Sequence, residues 1–274
     1  MVLLDRGFST SIMSNPIIRR LGKVTDTAEK GHAATYAGIG FKTIFFLLLT
    51  AGGVLGFFFM RAFFSYEDVG ADAITFGAMS VGMHEIVVFL IAAFLTLITP
   101  FLAWIIRPTI PVTGSLYAAS QGFVIAFSAN LYGGEYIHLI WLALFLTIII
   151  ILAMLILYMA RIIKVDKKFN SVLKVLFFSS ILGSIGIVVC RFIPLTADFA
   201  NYILNNAVIS IGGSILMIII AALFLLSDFD AVEKTVEHQL PKKYEWAAAF
   251  GLVFTVIWLY LKVLNLLVKL TSRK

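Results

Sequence analysis

Two carboxylates follow an uninterrupted apolar run in the C-terminal part of the sequence. Residues 215–224 (ILMIIIAALF) carry no polar side chain, and the next segment, LLSDFDAVEK, contains Asp228 and Asp230. Residues three or four apart share a helix face, whereas residues two apart do not. The face that includes Asp228 is mostly small or polar, with Phe224, Ala221, Met217, Ser214 and Ser210. Small residues mark packing faces of membrane helices, so Asp228 is predicted to face inward and Asp230 to lie at the headgroup boundary.

Three more charged residues lie within or beside apolar runs. Lys262 interrupts WLYLKVLNLL, and a lysine inside a membrane span costs about 2.5–3.5 kcal/mol on insertion scales. It either extends its stem to the membrane surface or takes part in a site. Arg107 ends a run in AWIIRPTIP, where it is either an ordinary cytoplasmic arginine or a partner that keeps Asp228 ionised. Glu85 is interpreted as an interfacial glutamate.

The composition indicates an integral membrane protein whose first partner is the lipid bilayer. The chain has 274 residues, 61% hydrophobic and 13% charged, with a mean hydropathy of +1.02, whereas soluble domains are about half apolar and a quarter charged. The basic residues border apolar runs and form no separate domain, so nucleic acid is not expected as a partner. A single cysteine, Cys190, allows no internal disulfide. The four histidines lack metal-ligand spacing, and no cofactor is expected.

Seven apolar runs are long enough to cross a bilayer, which takes about 20 residues. They cover residues 42–63, 83–105, 113–132, 138–159, 172–192, 204–227 and 246–267. The predicted fold is therefore an all-α integral membrane protein with seven transmembrane helices. Residues 41–270 form one transmembrane domain in this interpretation.

The basic residues between the runs favour a cytoplasmic N-terminus. With that orientation, most of the 21 Lys and Arg residues fall in cytoplasmic segments, as the positive-inside rule requires. Residues 1–40 mix charge with Ser and Thr and lack the apolar core of a signal peptide. They are predicted to form a cytoplasmic arm of a multi-pass protein in the cell membrane.

No motif of a membrane enzyme is complete in the sequence. A lysine in the seventh run suggests a retinal Schiff base, but Trp258 stands where the acidic counter-ion would be. The GGSI segment at residues 212–215 is not the GxSG motif of rhomboid-type proteases, and the YD and GxGD motifs of presenilin-type proteases do not occur. The chain is therefore expected not to be an enzyme.

Several segments resemble one family. The C-terminal stretch SDFDAVEKTVEHQLPKKYEWAAAFGLVFTVIWLYLKVLNLL closely resembles bacterial Bax inhibitor-like membrane proteins of the transmembrane Bax inhibitor motif superfamily, and SNPIIRRLG, ATYAGIGFKT and RIIKVDKKF are similar to that branch. The resemblance implies a seven-helix bundle with the seventh helix at its centre. It also implies a pH-sensitive calcium leak in the bacterial inner membrane, with calcium as the transported ion.

The same resemblance implies roles for individual residues. In the family, an acid on the sixth helix faces an acid on the seventh, and a basic residue ending the second helix pairs with the sixth-helix acid. Asp228 matches the sixth-helix acid, and Arg107 matches the basic residue to within one position. Lys262 stands where the seventh-helix acid would be. Asp228 is the only one of these positions that would offer a metal ligand.

Because Lys262 stands where the resemblance expects a second acid, two functions are considered: ion passage and regulation of other membrane proteins. Two facing carboxylates share a proton and offer oxygen ligands to calcium, whereas an Asp–Lys couple forms a fixed ion pair. Helix register after a turn near Pro241 also places Lys262 about 13 Å beyond the level of Asp228. Asp230 and Glu245 are poorly placed to serve as a second acid. The alternative to ion passage is a membrane regulator that acts through contacts with membrane protein partners, such as a protease or a stress-response component.

Overall fold

The computed structural model describes residues 33–63, 73–76, 79–131 and 137–271. Seven of its helices are long and apolar enough to cross a membrane. These seven spans are α1 (Tyr36–Phe63), α2 (Met83–Ile105), α3 (Ile110–Leu131), α4 (Ile137–Met159), α5 (Lys167–Phe192), α7 (Ala207–Glu237) and α8 (Tyr244–Thr271). A short helix, α6 (Pro194–Asn205), lies between the fifth and sixth spans. The all-α multi-pass prediction is confirmed.

The helices extend beyond the apolar runs that predicted them. Helix α7, the sixth span, continues to Glu237, so Asp228 and Asp230 lie inside a helix rather than at its end. A hydropathy run stops at the first charges, whereas backbone hydrogen bonding continues through DAVEKTVE because Ala, Glu and Lys favour the helix. Helix α1 begins at Tyr36, inside the predicted arm, most of which lies outside the described residues.

Two small elements were not predicted. Strands β1 (Ala73–Phe76) and β2 (Met79–Gly82) pair in antiparallel register just before α2. Helix α6 contains only 12 residues, too few to cross a bilayer. Neither element has the long apolar run on which the prediction of spans depends.

Side-chain caps fix where three helices begin. Thr35 accepts a hydrogen bond from the Gly38 amide at the start of α1, and Asp166 accepts one from the Phe169 amide at the start of α5. Asn206 accepts one from the Ile209 amide at the start of α7. Each cap pairs a backbone N–H that the first turn of a helix leaves without an intrahelical acceptor.

The chain divides into two compact units. Among the described residues, unit 1 comprises 142–231 and 254–271, and unit 2 comprises 33–141 and 232–253. Helices α4, α7 and α8 contribute to both units. The central position of the seventh span stays a prediction of the resemblance.

Unit 2 is built on close contact between α1 and α3. A Cβ atom at Gly53 would overlap the backbone carbonyl of Ala119, and one at Gly122 would overlap the carbonyl of Thr50. The two glycines therefore let the helix backbones approach, as small residues do in membrane proteins. Beside this contact, the Phe57 ring packs edge-on against Phe123 with centroids 5.4 Å apart.

Unit 1 has a buried core where three helices meet. Ala143, Ala221, Leu259 and Val263 form it, from α4, α7 and α8. The small side chains of Ala143 and Ala221 are fully buried, which allows the three helices to pack closely.

Candidate functional site

Asp228 is a buried carboxylate in the sixth span. Its residue is 3% exposed, and the adjacent Leu225 and Leu226 are fully buried. Ala221 and Ser214 on the same face are buried too, so the predicted inward direction of this face is confirmed. The large residues Leu216 and Ile219 on the face of Asp230 are half exposed, but Leu226 on that face is buried. The face of Asp230 is therefore less uniformly lipid-facing than predicted, and Asp230 itself is half-buried.

A polar pair of unit 1 lies beside Asp228 in the chain. Ser227 on α7 donates a hydrogen bond from Oγ to Oδ1 of Asn170 on α5, at 3.2 Å. Both side chains are buried, so the bond replaces the water that each would otherwise bind. Sequence reasoning did not single out Asn170, because an asparagine near the start of a span is more often a surface residue.

Three aromatic rings pack together one helical turn before Asp228. The centroid of Phe224 on α7 lies 5.3 Å from that of Phe177 on α5 and 5.9 Å from that of Trp258 on α8. Phe177 and Trp258 are themselves 5.6 Å apart in an edge-to-face arrangement. We call Phe177, Phe224 and Trp258 the aromatic triad. It joins three spans of unit 1 through the edge-to-face geometry that aromatic rings favour.

Lys262 lies one helical turn beyond Trp258 and is half-buried. No ion pair joins it to Asp228, both residues being in the described part of unit 1. The fixed Asp–Lys pair weighed from the sequence is therefore not formed.

Arg107 begins a 3-10 turn, Arg107–Thr109, between α2 and α3. It is half-buried, and Pro108 directly after it prevents α2 from continuing unbroken into α3. Arg107 belongs to unit 2 and Asp228 to unit 1. Their pairing stays a prediction.

No metal cluster is built into the described residues. Within residues 33–63, 73–76, 79–131 and 137–271, no three or more His, Cys, Asp or Glu side chains come together in a way that could hold a metal ion. Asp228 is therefore not part of a group of three such side chains within the described residues.

The sequence prediction missed a buried ion pair in unit 2. Lys42 on α1 pairs with Glu245 on the first turn of α8. Glu245 is completely buried, and its Oε1 also accepts hydrogen bonds from the Thr35 amide at 2.9 Å and from the Thr35 hydroxyl at 3.3 Å. Glu245 had been considered only as a second acid near Asp228. It instead binds α1 to α8.

Three further contacts surround the Lys42–Glu245 ion pair. The Lys42 ammonium lies 5.2 Å from the centroid of the Trp246 ring, within the range of a cation–π interaction. A Cβ atom at Gly38 would overlap the Glu245 carboxylate. Next to Thr35, the Ala34 amide donates a 2.7 Å hydrogen bond to the Leu240 carbonyl, so the segment before α1 is attached to the loop before α8.

A second buried acid lies at the other end of α1. Glu85 is almost fully buried in the first turn of α2, and its predicted position at the membrane interface stays a prediction. Its Oε1 is 4.0 Å from Nε of Arg61, and its Oε2 accepts a hydrogen bond from the Gly82 amide at 3.2 Å. Glu85 therefore caps the start of α2 and balances a basic residue of α1.

Comparison with protein-family models matches residues 15–272 to the family described as Bax inhibitor 1 like. The match covers nearly the entire chain. No match is found among curated proteins or among solved structures.

Proposed function

The chain belongs to the Bax inhibitor 1 like family, and from this premise we propose that it provides a pH-sensitive passage for cations, with calcium as the main ion. We further propose that it works without catalysis or a bound cofactor, in the bacterial inner membrane with its N-terminus in the cytoplasm. The observation that carries the proposal is the burial of Asp228 within a membrane-spanning helix.

A buried acid inside a span is costly and is usually kept for a function. A carboxylate is the oxygen ligand that calcium prefers. Two neutral oxygen-bearing groups are also present: the hydroxyl of Ser227, which precedes Asp228 in the chain, and the amide of Asn170, which is hydrogen-bonded to Ser227. A single carboxylate binds calcium weakly. Passage requires such weak binding, because an ion must leave as easily as it enters.

The remaining candidate residues have supporting roles in this proposal. Arg107 would hold Asp228 in its ionised form, because a neighbouring positive charge favours a carboxylate over a carboxylic acid. Asp230 would attract cations to the cytoplasmic mouth. Lys262 would limit the flow, because a positive charge within a span repels a cation.

Calcium flux into liposomes tests the proposal. Purified protein is reconstituted in liposomes that contain a calcium-sensitive dye, and flux is measured from about pH 6 to about pH 8. The Asp228→Asn variant has the shape of the protonated acid and cannot ionise. We expect wild-type flux to change with pH and the variant to lose that dependence, keeping the flux that the wild type shows at its acidic limit.

The matched control is Asp198→Asn on α6, which removes an exposed acid from the same unit. Its flux is expected to follow the wild type at every pH. Absence of wild-type flux throughout the range, or identical pH profiles for the wild type and Asp228→Asn, would contradict the proposal.

A second candidate function is regulation through contacts with other membrane proteins. The observation that favours it is the exposed, charged turn between α7 and α8, where Glu237, Lys242 and Lys243 are open to solvent. Reversing two charges, in Lys242→Glu with Lys243→Glu, would then change which proteins cross-link to the chain in membranes. Ion passage alone predicts an unchanged set of cross-linked proteins.

A further inference from the structure

The short helix α6 joins the ends of two membrane-spanning helices directly. Ile193 alone separates it from α5, and Asn206 alone separates it from α7. At the first of these turns the hydroxyl of Thr196 donates a 3.0 Å hydrogen bond to the backbone carbonyl of Cys190 in α5. The 12 residues of α6 extend about 18 Å. Because both of its ends are attached in this way, α6 lies where the fifth span ends and the sixth begins.

Most side chains of α6 fall on three faces, because residues three or four apart lie on the same side of a helix. The packed face has reduced exposure and includes a fully buried alanine: Thr196, Ala200 and Ile203. The apolar stripe consists of three large side chains that are 92%, 64% and 61% exposed: Leu195, Phe199 and Tyr202. The polar face is exposed throughout: Asp198, Asn201 and Asn205. The helix therefore presents separate apolar and polar surfaces outside its contact with the protein.

The apolar stripe continues a surface that belongs to the lipid. Helix α5 is a membrane span, and exposed apolar residues recur along one side of it at a spacing of three or four: Leu182, Ile185, Val189 and Phe192. Leu195 follows Phe192 after one turn, and Val208 at the start of α7 is again 80% exposed. Lipid covers the exposed sides of both spans, so lipid is also the neighbour that this continuity indicates for the stripe.

The polar face limits how deep α6 can lie. A carboxylate at the centre of a bilayer costs about 2.5–3.5 kcal/mol on insertion scales, so Asp198 requires a position within reach of water. Tyrosine, as at position 202 of the apolar stripe, is enriched where acyl chains meet the headgroups. A helix parallel to the membrane surface satisfies both faces at once.

We propose that α6 is an amphipathic helix that lies in the membrane interface, with the apolar stripe embedded in one leaflet of the bilayer. Its partner is thus the lipid of the leaflet in which α5 ends. Burial among acyl chains removes the stripe from water, and the polar face stays hydrated among the headgroups. This position is independent of whether cations pass through the bundle.

Quenching of a fluorescent label by lipids tests the proposal. The full chain with Cys190→Ser, which removes its one cysteine, receives a single new cysteine, is labelled with NBD and is reconstituted in phosphatidylcholine liposomes. Nitroxides on the headgroup, near the top of the acyl chain or near its end quench from the lipid, and iodide on both sides of the membrane quenches from water. With Phe199→Cys we expect the label about 5–10 Å into the boundary, where the nitroxide near the top of the acyl chain quenches best. With Asn201→Cys we expect iodide to quench several-fold more strongly than with Phe199→Cys.

Two exposed positions calibrate the measurement. Leu182→Cys in the middle of α5 gives the lipid limit, and Lys164→Cys in the turn between α4 and α5 gives the water limit. Equal quenching of the labels at positions 199 and 201 by iodide would mean that the stripe faces water. Protection of position 199 from iodide and from every nitroxide would mean that a protein surface covers it, such as a second copy of this chain. Quenching at position 199 that matches Leu182→Cys would place α6 deep among the acyl chains. Each of these three results would overturn the proposal.

Discussion

Lys42 in the second turn of α1 and Glu245 in the first turn of α8 form an ion pair, although 203 positions separate them in the chain. The carboxylate is fully buried, and it also binds the amide and the hydroxyl of Thr35. One acid therefore holds the start of the first span, the residue that caps it and the start of the last span. Such an arrangement fixes the register of two helices that no loop connects.

The first prediction concerns the stability of this pair. Lys42→Met leaves a buried carboxylate without its cation, and Glu245→Gln leaves an ammonium without its anion. Each should lower the free energy of unfolding by about 3–5 kcal/mol, because removal of one partner leaves an uncompensated buried charge. The double variant should be more stable than the sum of the single effects predicts.

Denaturation in detergent, followed by circular dichroism, gives the four free energies of this double-mutant cycle. Lys242→Met removes an exposed lysine three residues before Glu245 and should change stability by less than about 0.5 kcal/mol. Additive effects of Lys42→Met and Glu245→Gln would show that the pair is not coupled.

A second prediction uses two glycines on α1. A Cβ at Gly38 would overlap the Glu245 carboxylate, whereas one at Gly40 meets nothing within 4 Å. Gly38→Ala should therefore push the carboxylate away from Lys42 and destabilise the protein by about 1–3 kcal/mol. Gly40→Ala should be neutral or stabilising by up to about 1 kcal/mol, since alanine is the better helix former.

Melting temperatures of the two alanine variants, measured side by side in one detergent, check this prediction. A lower melting temperature for Gly40→Ala than for Gly38→Ala would contradict it.

The sequence predicted the seven spans and the inward direction of Asp228, because both depend on residues that are close together in the chain. Each span needs only a run of apolar residues, and the side of a helix that packs is marked by small residues at a spacing of three or four. The end of α7 was misplaced because its last turns, from Asp228 to Glu237, are charged but still helical. Hydropathy marks the part of a helix that can lie in the membrane, whereas backbone hydrogen bonding determines where the helix ends.

The pairings of Glu245 and Glu85 could not be predicted in this way. Lys42 is the first residue of the predicted run 42–63, and Glu245 directly precedes the predicted run 246–267, but nothing local indicates that the two meet. Glu85 shares its helix face with Gly82, Phe89 and Ala92, and the small residues on this face indicate that it packs against another helix. Its partner Arg61 lies on another helix, and only the packing of α1 beside α2 brings the two together.

A third prediction tests the backbone contact between α1 and α3. A methyl group at Gly53 would overlap a backbone carbonyl of α3, whereas one at Gly52 would meet nothing within 4 Å. Because a backbone cannot rotate away as a side chain can, Gly53→Ala should force the two helices apart and cost about 1–3 kcal/mol of stability. Gly52→Ala is the matched control in the next position and should melt at or above the wild-type temperature.

The last prediction connects the aromatic triad to the proposed passage. The rings of Phe177, Phe224 and Trp258 pack one turn from Asp228, and an apolar constriction can block ions by excluding water. Trp258→Ala should open this constriction and raise calcium flux into liposomes several-fold. Trp141→Ala removes the same side chain from a position that is 69% exposed on α4 and should leave flux at the wild-type level. If Trp258→Ala lowers the melting temperature but leaves calcium flux unchanged, the triad holds the three spans together without controlling the ions.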